Sequence, residues 1–312
     1  MMIFHKLRWF IKRSTPSIQI LGWQHFFLGC LARVFQYLNC AHIGDRLDRI
    51  HKEQVIHYLS IKYKSVIERI KNERFESVTV DMPSYVWVMW WQGEQQAPEI
   101  IKKCIASIRH YAGEGREVVV IDQQNYAQWI SLPNYVIEKY QRGTLPVQYV
   151  SDLARLMLIN QYGGVWIDAT FLLVKQIPQE YFEKPFYTCH TINGAKWTGF
   201  FIGGCASNAV IKPVCELLLE YWEKEDVLID YFLTDCLIDL VYRNIEEAKS
   251  LIDSVPDNNL DVLFFINHAA EPCNEYKYKK LLATNYAFKL TWKKVIGSCK
   301  NSYGSRLLSD FT

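Results

Sequence analysis

The sequence predicts an α/β fold built on a parallel sheet. Three short apolar runs, at 85–91, 117–122 and 165–168, carry that expectation. They read as strands buried on both faces. Helical periodicity fills the chain between them, and this alternation gives parallel strands joined by crossover helices. At 312 residues the chain is long enough for one large domain with an elaboration. A helical N-terminal extension is expected over 1–80 and the α/β domain over 81–312.

The extension rests on apolar positions at three-and-four spacing: Val55, Tyr58, Leu59, then Tyr63, Val66, Ile67 and Ile70. The character of the chain changes at Pro83. The first strand is followed by Gly93. Pro98 and Glu99 suit the first turn of a helix running to Tyr111, because proline there gives up no needed hydrogen bond and glutamate complements the helix dipole. Gly113 and Gly115 stop that helix. The second strand ends in Asp122. Turn signals at Pro133 and Gly143 precede a helix over 147–162, which Gly163 and Gly164 halt. The third strand ends in Asp168. Beyond Pro185, short strands are expected at 186–190 and 199–202, a turn at Gly203-Gly204, and helices at 208–224 and 227–243.

Half the residues are hydrophobic and 22% are charged, which excludes a globally disordered chain. Ten Trp and nineteen Tyr exceed what a core needs, so some rings are expected to line a ligand groove. The net charge of +2 is uneven. Residues 1–50 carry seven Lys/Arg against two Asp, and residues 276–306 carry eight Lys/Arg and no carboxylate. Such stretches suit anionic partners or form a solvated face. Neither lies in a nucleic-acid-binding motif, so nucleic acid is not an expected partner. The nine Cys show no metal-ligand spacing and read as reduced thiols of a cytoplasmic protein. The apolar stretch 25–43 is interrupted by Arg33 and falls short of a membrane span. Segment 1–43 therefore reads in two ways. It is an amphipathic helix on the inner face of a membrane, anchored by Trp9, Phe10, Phe26 and Phe27, or a helix packed on the α/β domain.

Ligands of open α/β sheets bind beyond the carboxyl ends of the strands. Asp122, Asp168 and the Trp90-Trp91-Gln92-Gly93 turn all fall on that edge. Asp152 and Arg155, three apart on the preceding helix, share one face, although a pair at this spacing also serves as a plain surface ion pair. One helix face and one strand end can so offer two carboxylates and a guanidinium to a single ligand. Transfer of a sugar from a nucleotide asks for this set. The leaving diphosphate needs a divalent cation, Arg or Lys to carry its charge. The cation wants oxygen ligands. The hydroxyls want a carboxylate, and the base wants a flat ring, which Trp90 or Trp91 could supply.

Ser151-Asp152-x-x-Arg155 followed by Tyr162-Gly-Gly-Val-Trp-Ile-Asp168 resembles the signature of the capsular polysaccharide synthesis glycosyltransferases. These are relatives of the DXD-motif sugar transferases that include fungal α-mannosyltransferases and clostridial toxin glucosyltransferases. The likeness runs over residues 83–295. It implies a GT-A fold, a Rossmann-like domain binding a nucleotide-diphospho-sugar. In matching positions, Trp90 would stack near the base, Asp152 and Arg155 would contact ribose, sugar or phosphate, and Asp168 would be the first carboxylate of the DXD motif. Retention of anomeric configuration is implied as well. Here the motif is Asp168-Ala169-Thr170, so a hydroxyl replaces the second carboxylate.

The resulting expectation is a hexosyltransferase that uses a UDP- or GDP-sugar and a glycan acceptor, lipid-linked, in surface polysaccharide synthesis. Its expected catalytic groups are Asp168 and Asp235. Trp90, Trp91, Asp122, Asp152, Arg155, Asp168, Thr170 and Lys289 are expected to bind the nucleotide sugar, with Lys293 and Lys294 in support. Asp168 and His268 are the expected ligands of Mn2+ or Mg2+. Two other readings remain at this point: a sugar-nucleotide-binding scaffold subunit without catalysis, and a glycosyltransferase that modifies a protein.

Overall fold

The computed structural model describes residues 8, 11, 14–38, 40–75, 85–191, 194–293, 296–297 and 299–311. Trp9, Phe10, Pro83 and Lys294, named above, lie outside the described residues. In chain order the elements are α1 (Ile18–Tyr37), α2 (Ala41–Lys62), α3 (Lys64–Lys71), β1 (Tyr85–Met89), α4 (Glu99–Tyr111), β2 (Glu117–Ile121), α5 (Tyr126–Trp129), α6 (Asn134–Gln141), α7 (Val147–Tyr162), β3 (Gly164–Ile167) and β4 (Phe171–Leu173). Then follow α8 (Gln179–Phe182), β5 (Phe186–Thr188), β6 (Phe201–Gly204), α9 (Ile211–Lys224), α10 (Leu233–Asn244), α11 (Glu246–Asp253), α12 (Phe264–His268), α13 (Glu275–Thr284), β7 (Ala287–Lys289) and α14 (Tyr303–Phe311).

The chain forms two compact units. The first gathers Met1–Arg74, Pro133–Val150 and Pro213–Lys249. It is helical. Tyr63, Val66, Ile67 and Ile70, picked out by their spacing, are buried, as are Leu237, Leu240 and Val241 of α10. The Lys139 ammonium, itself buried, donates to the carbonyls of Trp222 (2.5 Å) and Glu225 (2.8 Å). It thereby satisfies orphan acceptors at the C-terminus of α9, where the helix dipole favours a cation. The helix expected at 227–243 begins only at Leu233. The Tyr221 hydroxyl donates to the Val227 carbonyl (2.5 Å) and accepts from the Ile229 amide (2.9 Å), and the Asp230 carboxylate accepts from the Phe232 amide (2.7 Å). These bonds spend the backbone of 227–232 outside a helix.

In α1, Gly22 breaks the helical path at φ 78°. From there Trp23, Phe27 and Leu31 follow at four-residue spacing and are 61%, 56% and 49% exposed. Phe26, expected as a surface anchor, is instead buried, because it stands one position off this stripe on a helix of 3.6 residues per turn. Among the described residues, no helix is long and apolar enough to cross a membrane.

The second unit gathers Phe75–Leu132, Ser151–Lys212 and Ser250–Thr312. Its five-stranded sheet has the order β2-β1-β3-β6-β5. The pairs β1–β2 and β1–β3 are parallel, as expected, but β6 runs antiparallel to both β3 and β5. The sheet is therefore mixed, not wholly parallel. The expected Gly203-Gly204 turn is a correction of the same kind: both glycines lie inside β6, opposite Val165 and Gly164. A Cβ on Gly203 would stand 2.5 Å from the Gly164 carbonyl oxygen. These glycines permit close strand approach, and they do not turn the chain. A second, two-stranded sheet pairs β4 with β7. Cys104, Leu172, Phe265, Tyr278, Phe288 and Leu307 fill the core that lies against it.

Candidate functional site

The strand order 2-1-3 creates a switch point in the second unit: the chain leaves β1 toward β2 on one side and returns at β3 on the other. Crevices at such points receive ligands. Trp90 follows β1, and Asp168 follows β3.

Asp168 is held from four sides. Its amide donates to the Phe200 carbonyl (3.0 Å), which fixes it beside the start of β6. Trp166 stands two residues earlier on the same strand, so both side chains point to one face. Its indole Nε1 donates to Asp168 Oδ1 (2.8 Å). Arg155 Nη2 reaches the same oxygen at 3.3 Å. Lys289 Nζ forms an ion pair with Oδ2. Burial would raise the Asp168 carboxyl pKa, but the charges of Lys289 and Arg155, with hydrogen bonds from Lys289 and Trp166, outweigh it and hold the group below its ordinary value.

Arg155 is buried between two carboxylates. Its Nη1 lies 3.1 Å from Asp152 Oδ1, one turn away on α7, and the guanidinium sits 5.1 Å from the Trp166 ring centroid. Gly199 leaves room for it, since a Cβ there would come within 2.8 Å of Nη1. Lys289 arrives through the second sheet. It is paired with Phe171 in register, and the Leu290 amide donates to the Thr170 carbonyl (2.8 Å). Its Nζ stands 5.1 Å from the Phe200 ring centroid.

Among the described residues, three buried polar atoms of the expected site residues have no hydrogen-bond partner: Thr170 Oγ1, Arg155 Nε and Trp90 Nε1. Buried polar groups without partners are rare and costly, and a bound ligand is one source of such partners. Asp168 and Thr170 offer a carboxylate and a hydroxyl oxygen. That set fits a hard cation which takes the rest of its shell from diphosphate oxygens and water.

The remaining expected residues are placed as follows. Trp90 meets Trp292 edge-on at 6.1 Å, and Trp292 is 49% exposed. Trp91 is buried against Tyr126. Asp122 Oδ1 accepts from the amides of Gln124 (2.8 Å) and Asn125 (3.0 Å) and shapes the turn after β2. His268 Nδ1 pairs with Glu271 Oε1 at 2.8 Å, and its ring stacks on Phe264. Among the described residues, no three His, Cys, Asp or Glu side chains are grouped to hold a metal. Asp235 lies in the first turn of α10, in the first unit. From sequence, Trp166 belongs to the strand end that carries Asp168 but has no contact of its own, and Gly199 is missed as a site residue. The strand period of two would have given Trp166; no local signal gives Gly199.

The sequence profile of a family described as "Capsular polysaccharide synthesis protein" matches residues 36–307. A fungal protein of Annulohypoxylon truncatum, named O-glycosyltransferase braB, is 23% identical over 198 residues, covering 57% of this chain. The match spans 44% of that relative, less than half of its length.

Proposed function

Because the chain belongs to the family of capsular polysaccharide synthesis proteins, we propose that it is a glycosyltransferase of GT-A fold that moves a hexose from a UDP- or GDP-sugar to a glycan acceptor. The observation that carries this reading is the Asp168 carboxylate at the switch point, gathered by Trp166, Arg155 and Lys289.

In this reading the diphosphate enters beside Arg155 and Lys289, whose fixed charges stabilise the negative charge that grows as the sugar bond breaks. Arg155 is oriented in advance by Asp152 and costs no reorganisation. Trp90 and Trp292 form an aromatic corner for the base. Asp168 and Thr170 would hold Mn2+ or Mg2+, and the cation would supply charge neutralisation for the leaving group. Thr170 Oγ1, Arg155 Nε and Trp90 Nε1 gain partners when the donor binds. The product keeps the anomeric configuration of the donor.

The acceptor is lipid-linked. The exposed Trp23, Phe27 and Leu31 stripe, in a segment rich in Lys and Arg, suits an anionic membrane surface where such acceptors lie. One observation favours a second reading, a donor-binding scaffold: both Asp168 oxygens are already engaged by cations. Hydrolysis of a panel of UDP- and GDP-sugars, with and without Mn2+, separates the two. Turnover of one donor supports the enzyme. Binding without turnover across the panel supports the scaffold, and absence of binding refutes both.

A further inference from the structure

A second polar cluster lies on the same sheet edge as Asp168. Trp166 of β3 and Thr188 of β5 both stand opposite Ile202 of β6. Each of these outer strands runs antiparallel to β6, so they run parallel to each other. Two residues further on, β3 delivers Asp168 and β5 delivers His190. Two strand spacings separate the strands, about 10 Å.

His190 opens a cavity of about 290 Å³ that also includes Thr191, Lys196, Asp253 and Asp257. The His190 side chain is 10% exposed, and its Nδ1 lies 3.0 Å from Asp257 Oδ1. A carboxylate only accepts, so Nδ1 carries a proton, and in the neutral imidazole Nε2 then keeps a free lone pair. Nε2 is buried and has no partner among the described residues. The pair is held on built ground. Asn258, next to Asp257, donates to the Thr188 carbonyl (3.1 Å) and accepts from the Tyr286 hydroxyl (3.2 Å). Thr198 and Thr188 exchange hydrogen bonds beneath the loop. Lys196 and Asp253 form an ion pair at 2.5 Å. Ile252 and Val255 give the cavity an apolar wall. The loop that starts at His190 ends at Gly199, against Arg155.

We propose that this cavity is the acceptor subsite: it binds one sugar ring, with a hydroxyl donating to His190 Nε2 and the ring's C–H face on Ile252 and Val255. The volume lies at the lower end of small-ligand sites, roughly 300–1,000 Å³, and suits a single sugar more than an oligosaccharide. A wall of carboxylates, hydroxyl and imidazole around an apolar patch matches a sugar's polar edge and apolar face. The inference rests on the glycosyltransferase reading. It extends that reading to the acceptor side. Asp257 is a positioning residue, since it acts by fixing the His190 tautomer.

The test uses the full chain and methyl glycosides of glucose, galactose, mannose and N-acetylglucosamine as probes, with binding followed by saturation-transfer NMR. At least one glycoside is expected to bind the wild type. His190→Gln, and Ala195→Trp at the exposed rim of the cavity, are each expected to weaken it at least about tenfold. A thermal melt shows that each variant is folded. Nitrogen-15 spectra of the wild type should show His190 protonated at Nδ1, and Asp257→Asn should mix the tautomers. A glycoside that binds both variants as it binds the wild type, or no glycoside binding at all, overturns the proposal. The donor panel is run on the same wild-type sample. If no donor binds while a glycoside does so through His190, the donor reading fails, and the cavity stands as a sugar-binding site but not as an acceptor subsite.

Discussion

Lys289, on β7, pairs with the carboxylate of Asp168, 121 residues earlier in the chain. The pair joins the two sheets of the second unit near the point where the Leu290 amide donates to the Thr170 carbonyl. A cation is therefore built into the place where a diphosphate would bring its charge.

Replacing Asp168 by Asn should abolish sugar transfer, a fall of at least about 100-fold, because the carboxylate orients Arg155 and Lys289 and is the charged oxygen of the proposed cation site. The fold should survive. Arg155 keeps Asp152, and the Asp168 and Lys289 side chains are 26% and 18% exposed, so solvent screens what is lost. Donor hydrolysis and a thermal melt measured on one sample check both halves. Near-normal turnover by the variant would remove Asp168 from the chemistry.

Thr170→Val should behave in the opposite way in the ligand-free protein. The buried Oγ1 has no partner, and an unsatisfied buried hydroxyl costs about 1–3 kcal/mol. An isosteric methyl removes that cost, so the melting temperature should hold or rise. Donor affinity in Mn2+ should drop about tenfold, roughly 1.4 kcal/mol. A variant that is both less stable and equally good at binding donor would contradict the assignment of Thr170.

Local patterning makes some of this molecule legible and hides the rest. Helix 147–162 and the strand before Asp168 follow from apolar periodicity closed by Gly163 and Gly164, signals that act within a few residues. Asp152, Arg155 and Asp168 come with them. Gly203 and Gly204 look like a turn because glycine carries no side-chain pattern, and only their partners across the sheet show that they are strand. The reversal at β6, and the meeting of Lys289 with Asp168, depend on pairings far apart in sequence. His190 falls at the end of the strand expected at 186–190, and its relation to Asp168 shows only once β5 is seen to end level with β3.

Acid should weaken the first unit through two histidines. His25 and His51 stack at 3.8 Å and are both buried. Burial lowers the pKa of each. For His51, burial together with the neighbouring His25 takes it to about 3. Burial disfavours the charged form of both in the folded chain, while the unfolded chain takes up protons below about 6.5. Stability is thus intact above that value and falls as pH drops toward the folded pKa, by up to about 1.4 kcal/mol per pH unit for each histidine. Urea midpoints at about pH 7.5 and about pH 5 should differ, and His51→Gln should narrow the gap. Equal gaps in wild type and variant would exclude this pair as the source.

Vesicle binding should depend on the α1 stripe. Trp23→Ser with Phe27→Ser removes two exposed rings, each able to contribute about 1.5–3 kcal/mol when buried in a membrane interface. Co-sedimentation with phosphatidylglycerol vesicles should fall at least about tenfold, and neutral phosphatidylcholine vesicles should bind the wild type weakly. Unchanged sedimentation of the double variant would argue for the stripe being an ordinary exposed face.

Gly164, Gly203 and Gly204 bring no side-chain area to the seam between β3 and β6. Each also gives up more chain freedom on ordering than another residue would, costing about 0.5–1 kcal/mol. That seam gains little from forming early, and it must wait for the chain between its strands to close, whereas α7 forms from near neighbours. Asp168 follows the seam directly. The setting of Asp168 should therefore be a late product of folding, formed after α7. In pulse-labelled hydrogen exchange, the amides of α7 should be protected before those of Phe201 and Gly203. Simultaneous protection would place the seam in the first folding step.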